Sequence, residues 1–316
     1  MNILVTGANG FVGRALVKRL LAHGAVAPGD RPFERLTVVD LSLDGLPADE
    51  RVVPVQGSIA DGAVLAEAMA GGPDLIFHLA SIPGGAAERD FALGLKVNLD
   101  ATLQLLELVR SQARAPRLVF TSTVAVYGAP MLARVDDATP LRPALSYGAH
   151  KLVGEILAQD YCRRGWVDAR ILRLPGIVAR PPSPSGLLSA FMSDVFWKLA
   201  AGERFTCPVS PQAIAWWMSA PCCVDNLLHA ARLAPGQIGQ RRDFTLPVLR
   251  LTMGDIVEGL ARLYGDDRRE LVKYVPDEKL EAGFGSFPPL DASAAEMIGF
   301  RHDGSLEALI RNAMTD

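Results

Sequence analysis

Tyr147 and Lys151 stand four residues apart in the stretch SYGAHK. Thr123 precedes them at the end of an apolar run, in FTSTVAVYG. On a helix the four-residue spacing puts the phenol and the amine on one face. A phenol titrates at about pH 10, too high for a base in neutral water, but a nearby ammonium favours the phenolate. Thr123 can offer a hydroxyl to the same substrate oxygen, so the three residues suit proton abstraction from an alcohol. The pair alone is weak, because many helices carry a packed tyrosine beside an exposed lysine.

A second group sits at the start of the chain, where Gly7, Gly10 and Gly13 follow the apolar run ILVT. Residues without Cβ at a strand-to-helix turn allow a pyrophosphate to approach, and the helix N-terminus offers N–H groups and a positive dipole end. The bland alternative is a tight turn with packing glycines. Asp40 ends the second apolar run, LTVVD. A carboxylate there accepts hydrogen bonds from adenosine ribose hydroxyls and repels a 2′-phosphate, which predicts NAD over NADP. Residues 24–36, GAVAPGDRPFERL, read as an insertion that lengthens the spacing to Asp40.

These groups need a frame to meet. Short apolar runs at 3–6, 36–40, 52–56, 75–79, 117–121 and 169–174 read as strands. Helical patterns at 12–23, 63–69, 97–110 and 147–164 lie between them. Strands this apolar have both faces covered, and the alternation predicts an α/β fold, a doubly wound parallel Rossmann sheet with ligands at the strands' carboxyl ends. Residues 1–178 read as the NAD-binding domain, with 222–236 returning to it. The returning segment carries a helix at 224–233; residues 179–221 and 237–316 read as a smaller mixed α/β substrate lobe, with helices at 252–264 and 305–314. The Pro-rich stretch 179–186 marks the crossing.

Composition narrows the class. The chain has 316 residues, 49% hydrophobic and 21% charged, with a formal net charge of -3. That suits a globular enzyme with a sizeable core and gives no basic field for nucleic acid or an anionic membrane. The apolar runs are too short to span a bilayer, and no basic leader precedes the glycines, so a cytoplasmic place is expected. Cys162, Cys207, Cys222 and Cys223 show no metal spacing, so no metal site is expected and the thiols read as reduced.

The pieces TGANGFVG, VVD, HLAS, VNLDAT, FTSTVAVYG, YGAHK, LRLPGIVARP and CCVDNLLHA follow one another in the order found in the extended short-chain dehydrogenases/reductases. The chain resembles that family over essentially its whole length. The resemblance implies that Gly7, Gly10 and Gly13 form the pyrophosphate loop, with Phe11 and Val12 giving backbone N–H groups. It implies an adenine contact at Ser58 and Ile59, although the family usually has Asp where Ser58 stands. Leu79, Ala80 and Ser81 would wall the cofactor, Asn98 would support the site, and Pro175 would lie near the nicotinamide. Thr123, Tyr147 and Lys151 match the catalytic trio. His78 matches a structural position beneath the cofactor, and His150 points away from Tyr147. Similar proteins pair two-fold through the helices near 97 and 147, which implies a homodimer.

For the substrate, two departures speak against a sugar nucleotide. Gly176 stands where epimerases of the family commonly have Asn. Ser219 stands where many have an Arg for the diphosphate, and a diphosphate without cations is poorly held. Dehydratases also carry an Asp-Glu pair beside the Thr, absent from STVA. The chain looks more like the branch that oxidises small hydroxy acids, including the 2-hydroxyl of a four-carbon sugar acid. Arg180 is then the candidate cation for a carboxylate, with Ser81 and Ser122 as donors. Trp216 and Trp217 either shape a small pocket or pack in the core. A nucleotide-sugar 4-epimerase, a threonine-dehydrogenase-like enzyme and a non-catalytic NAD-sensing regulator remain as alternatives.

Overall fold

The computed structural model describes residues 1–182 and 187–315. Part of the Pro-rich crossing, residues 183–186, lies outside the described residues. In the first half, strands β1 (Asn2–Thr6), β2 (Arg35–Asp40), β3 (Val52–Gln56), β4 (Leu75–His78), β5 (Arg117–Thr123) and β6 (Asp168–Leu174) alternate with helices. The helices are α1 (Phe11–His23), α2 (Gly62–Met69), α3 (Gly84–Arg89), α4 (Phe91–Leu95), α5 (Ala101–Arg110) and α6 (Ser146–Arg163). The second half adds β7 (Gly176–Val178), α7 (Phe191–Ala200), β8 (Phe205–Cys207), β9 (Ile214–Ser219), α8 (Ala220–Arg232), α9 (Pro235–Ile238) and β10 (Asp243–Thr245). It closes with β11 (Leu249–Thr252), α10 (Met253–Tyr264), β12 (Val272–Tyr274), α11 (Glu278–Phe284), α12 (Ser293–Met297) and α13 (Leu306–Ala313).

The main sheet is parallel throughout, in the order β10-β6-β5-β4-β1-β2-β3. Alternation along each strand divides its side chains between two cores. Ile3, Val5 and Val38 pack on one face with Leu16, Val17 and Leu20 of α1 and Leu227 of α8. Leu4, Val39 and Ile76 pack on the other with Leu65 of α2, Leu105 of α5 and Ala158 of α6. The chain runs outward from β1 through β2 and β3, then restarts at β4 on the other side of β1. That reversal opens a crevice at the carboxyl ends of β1 and β4, where open α/β sheets bind ligands. The expected α/β doubly wound frame is therefore present, and the insertion after α1 folds back on it through buried Val26 and Phe33.

The boundary between sheet and lobe differs from expectation. β10, from the stretch read as lobe, is the sheet's seventh strand and pairs with β6. β7, read as the end of the first domain, opens a second sheet of order β11-β9-β7. Around that sheet α7, α10 and α13 bury Phe196, Ile256 and Leu309 in a core of their own. Trp216 and Trp217 are fully buried on β9 and donate their indole N–H groups to the carbonyls of Pro288 and Leu251, at 2.9 and 3.1 Å. They are core residues and shape no pocket. The helix expected over 97–110 is interrupted by a π-turn, Lys96–Asp100, that holds Asn98.

Ser219 is a cap and not a place for a substrate cation. Its hydroxyl accepts from the Cys222 N–H at 3.2 Å, closing the N-terminus of α8, and donates to Asp303 at 2.5 Å. Ser219→Ala should cost about 1–2 kcal/mol of stability, the usual loss for a removed cap. Urea unfolding would read this, with kcat/KM of the folded enzyme unchanged. A normal midpoint with impaired turnover would return Ser219 to the site.

Candidate active site

The turn after β1 fits only glycine. Gly7 has φ +70°, and a Cβ there would lie 2.7 Å from the Ala80 nitrogen in the loop after β4. A Cβ on Gly13 would lie 2.0 Å from the Gly7 carbonyl oxygen. Gly10 caps α1 with no side-chain acceptor, so the first-turn N–H groups of the helix are left for a ligand. The Gly7 and Ala8 N–H groups both donate to Val39 O, at 2.9 and 3.2 Å, tying the turn to β2. Asp40 reinforces that tie, accepting from Asn9 N–H and Leu41 N–H at 2.8 Å each. In the same loop a buried side-chain oxygen of Asn9 has no hydrogen-bond partner among the described residues. A cradle without Cβ atoms and an uncapped helix start, with free N–H donors, together fit a pyrophosphate.

A cavity of about 990 Å³ opens from this turn. Of the residues singled out in the sequence, Gly7, Gly10, Phe11, Val12, Gly13, Leu79, Ser81, Ser122, Thr123, Tyr147, Pro175 and Arg180 line it. Asp40, Ser58, Ile59, Ala80, Asn98 and Lys151 are not among its lining residues. Ile59 is buried in the core on the α2 face, and the Ser58 hydroxyl accepts from Ala60 N–H within its own turn. Asn98 works from behind: its side chain accepts from and donates to the Ile82 backbone, at 2.7 and 3.0 Å, and so fixes the loop that carries Ser81.

The strand geometry corrects one expected donor. β5 continues to Thr123, two residues beyond its expected end, so side chains alternate through the site. Thr121 and Thr123 share one side, and the Ser122 hydroxyl points the other way and donates to the Glu155 carboxylate. Ser122 meets the cavity but its hydroxyl is committed elsewhere.

The Tyr147 phenol is half-buried, and burial holds its pKa above the ordinary value. The hydroxyls of Ser81 and Thr123 and the charge of Arg180 oppose that rise. In this structure the cation that acts on the phenol is therefore Arg180, where the sequence suggested Lys151. Arg180 lies with its guanidinium carbon 5.0 Å from the Phe11 ring centroid. Burial lowers its pKa and the Tyr147 charge opposes this. Among the described residues it forms no ion pair. Lys151 is 1% exposed, with Nζ 4.8 Å from the Phe120 ring centroid. Burial pulls its pKa down to about 7, against the opposing charge of Glu155.

His78 is structural, as the family pattern implied. Its ring nitrogens meet Thr6 and Thr102 hydroxyls at 2.7 and 3.0 Å, and burial, with the Lys151 charge, lowers its pKa to about 3. It stays neutral and joins β1, β4 and α5. His150 is buried against Phe91, off the cavity.

Sequence reasoning missed the far wall. Leu187–Asp194 and Asp277–Phe287 contribute Leu188, Met192, Asp194, Lys279, Leu280 and Phe284 to the cavity. They carry no motif, and only the tertiary fold brings them here. Among the described residues no group of three metal-ligating side chains occurs. No helix of the described chain is long and apolar enough to cross a membrane.

The model of the NAD dependent epimerase/dehydratase family matches residues 3–216. The chain belongs to that family. It is 39% identical to a D-erythronate dehydrogenase of Cupriavidus necator, over all of this chain and 98% of that one. It is 31% identical to a D-erythronate dehydrogenase of Haemophilus influenzae, over 98% of both. A solved structure described as a nucleoside-diphosphate-sugar epimerase, from Agrobacterium tumefaciens, superposes with a TM-score of 0.91 at 33% identity, covering 98% of this chain and 92% of that one. The family and these relatives support an oxidoreductase that uses a nicotinamide cofactor, whose pyrophosphate we would place at the glycine turn.

Gly13→Ala tests that placement. The Cβ must displace the Gly7 carbonyl, so cofactor affinity, read by quenching of protein fluorescence, should fall about tenfold or more. A folded variant that binds as tightly as the parent would place the cofactor elsewhere.

Proposed function

We propose that this protein oxidises the 2-hydroxyl of a small sugar acid with NAD, most specifically D-erythronate to 2-oxo-erythronate. The observation that carries the reading is the convergence on one cavity beside the glycine turn of Thr123, Tyr147 and Arg180, which has no ion-pair partner among the described residues. Its support from relatives is the near-full-length likeness to two D-erythronate dehydrogenases. Tyr147, as phenolate, takes the proton of the C2 hydroxyl. Thr123 and Ser81 hold the phenol and the substrate oxygen together. The cofactor, when bound, supplies the acceptor for the C2 hydride, which leaves a 2-oxo acid. Arg180, a desolvated cation in a largely apolar cavity, pairs the substrate carboxylate. Lys151 holds the cofactor ribose and the phenolate charge from beneath. Asp40 selects NAD through the ribose hydroxyls.

A second reading, epimerisation of a sugar nucleotide, is favoured by the likeness to the Agrobacterium epimerase structure. Against it, Gly176 faces the cavity without an amide, and the buried Ser219 offers no cation to a diphosphate. A cytoplasmic, reducing setting is in keeping with four free cysteines. For a homodimer, the supporting feature is an exposed apolar set on adjacent helices: Phe91 and Leu93 of α4, Leu103 of α5, and Val153 and Ile156 of α6. Light scattering behind a sizing column would decide it.

The direct test is formation of reduced nicotinamide with a panel of sugar acids. Turnover of D-erythronate, and loss of about a hundredfold or more in Tyr147→Phe, are expected for removal of a general base. Activity confined to UDP-sugars would sink the reading. Asp40→Ala should raise the kcat/KM ratio of NADP to NAD, and an unchanged ratio would remove Asp40 from cofactor choice.

A further inference from the structure

One buried ionic cluster belongs to none of the roles above. Glu155 of α6 is fully buried, one helical turn beyond Lys151. Arg173 of β6 grips its carboxylate with Nε at 3.1 and 3.2 Å and Nη2 at 2.7 Å. The same guanidinium reaches Asp243 of β10 at 2.8 Å. Ser122 of β5 donates its hydroxyl to Glu155. Tyr127 and Thr245 share a hydrogen bond of 2.7 Å at the margin of the cluster.

Each arm ends beside a residue of the site. Ser122 precedes Thr123, Glu155 is one turn from Lys151, and Arg173 is two residues before Pro175. A lone buried carboxylate is costly, but this one is bidentately paired and hydrogen-bonded. Its nearest unneutralised neighbour on α6 is Lys151, at the i,i+4 spacing that brings side chains together.

We propose that Glu155 is a positioning residue for this reaction: it holds Lys151 as an ammonium in a buried place and locks α6 to the ends of β5 and β6. The proposal rests on the dehydrogenase reading of Tyr147 and Lys151. The groups facing Lys151 support it. From β4 comes His78, neutral, and from β5 the Phe120 ring. From the π-turn, Asp100 acts on His150. From β6 comes Arg173, behind Glu155. Arg180 acts across the cavity on Tyr147. Glu155 is the anion left to oppose the burial that draws Lys151 down to about 7.

Glu155→Gln removes that anion and keeps the shape. In cofactor-free protein labelled with ¹³C-lysine, the Lys151 Cε resonance, assigned with Lys151→Arg, should titrate about one pH unit or more lower. The rising limb of kcat/KM for oxidation, set by deprotonation of Tyr147, should move to higher pH, with a loss of about tenfold at neutral pH if it moves by one pH unit. In a Lys151→Arg background, where the side chain stays charged, Glu155→Gln should leave the pH profile in place. A merely structural role would lower activity equally in both backgrounds and leave the lysine midpoint unmoved, and that result would overturn the proposal. If Glu155→Gln fails to fold, Glu155→Gln with Arg173→Met removes both charges of the buried pair and leaves only the partly exposed Asp243 carboxylate without its partner. The lysine midpoint should still fall, because Glu155 is the nearer charge; an unchanged midpoint there rejects the idea as well. Tyr147→Phe separates the two readings: full turnover in that variant defeats the base assignment, whereas its loss beside an unmoved lysine defeats only the role of Glu155.

Discussion

The site depends on how closely the β1–α1 turn approaches the loop after β4. Gly7 and Ala80 meet backbone to backbone, and Gly13 sits against the Gly7 carbonyl. A single methyl group at either glycine would part them. Because β1 and β4 are neighbours in the sheet but not in sequence, this contact sets the floor of the crevice. The start of α1 then faces the loop that carries Ser81, and Asn98 holds that loop from the other side. The cofactor end of the cavity is thus fixed by backbone geometry more than by side-chain chemistry.

The catalytic end is fixed differently, by polar groups buried at a cost that their partners offset. His78 is sandwiched between two hydroxyls and kept neutral. Lys151 packs on Phe120 and faces one carboxylate. Arg173 is held well above the ordinary guanidinium range: burial lowers it, and Glu155 and Asp243 more than compensate. A buried pair is weak evidence for stability, because an apolar pair can often replace it. Its effect here is on geometry and charge: three segments that border the cavity are joined through one guanidinium and one carboxylate.

Much of this was legible in the sequence, for reasons that are local. The glycine turn, Asp40 and the Tyr-x-x-x-Lys helix are each encoded within a few residues, and the apolar runs of a parallel sheet stand out because both faces are covered. What was not legible depends on distance or on a small register error. Taking β5 to end at Thr121 left Ser122 free to face substrate. Two further residues of strand put its hydroxyl on Glu155 instead. β10 is a short strand that joins the sheet only by pairing with β6, far away in the chain. The cavity wall from α7 and α11 has no pattern of its own. Trp216 and Trp217 read equally as pocket or core, and only their buried indole hydrogen bonds decide for core.

The two cations of the site divide the work unequally. Arg180 stands in the cavity and favours the Tyr147 phenolate while no substrate is present. On the proposed reading it also receives the substrate carboxylate, and once paired its field at the phenol is largely cancelled. Charge support for the phenolate is needed most at that moment, as the proton is about to move. It must then come from a cation that substrate cannot neutralise. Lys151 meets that condition, since it is shut away from the cavity, but the same burial weakens its hold on a proton. A third charge is therefore required behind it, one that neither solvent nor substrate reaches. Glu155, fully buried and pinned by Arg173, occupies that place. On the proposed reading Thr123 and Tyr147 meet the reacting atoms and Lys151 supports them from behind, but none of the three explains what keeps the lysine charged.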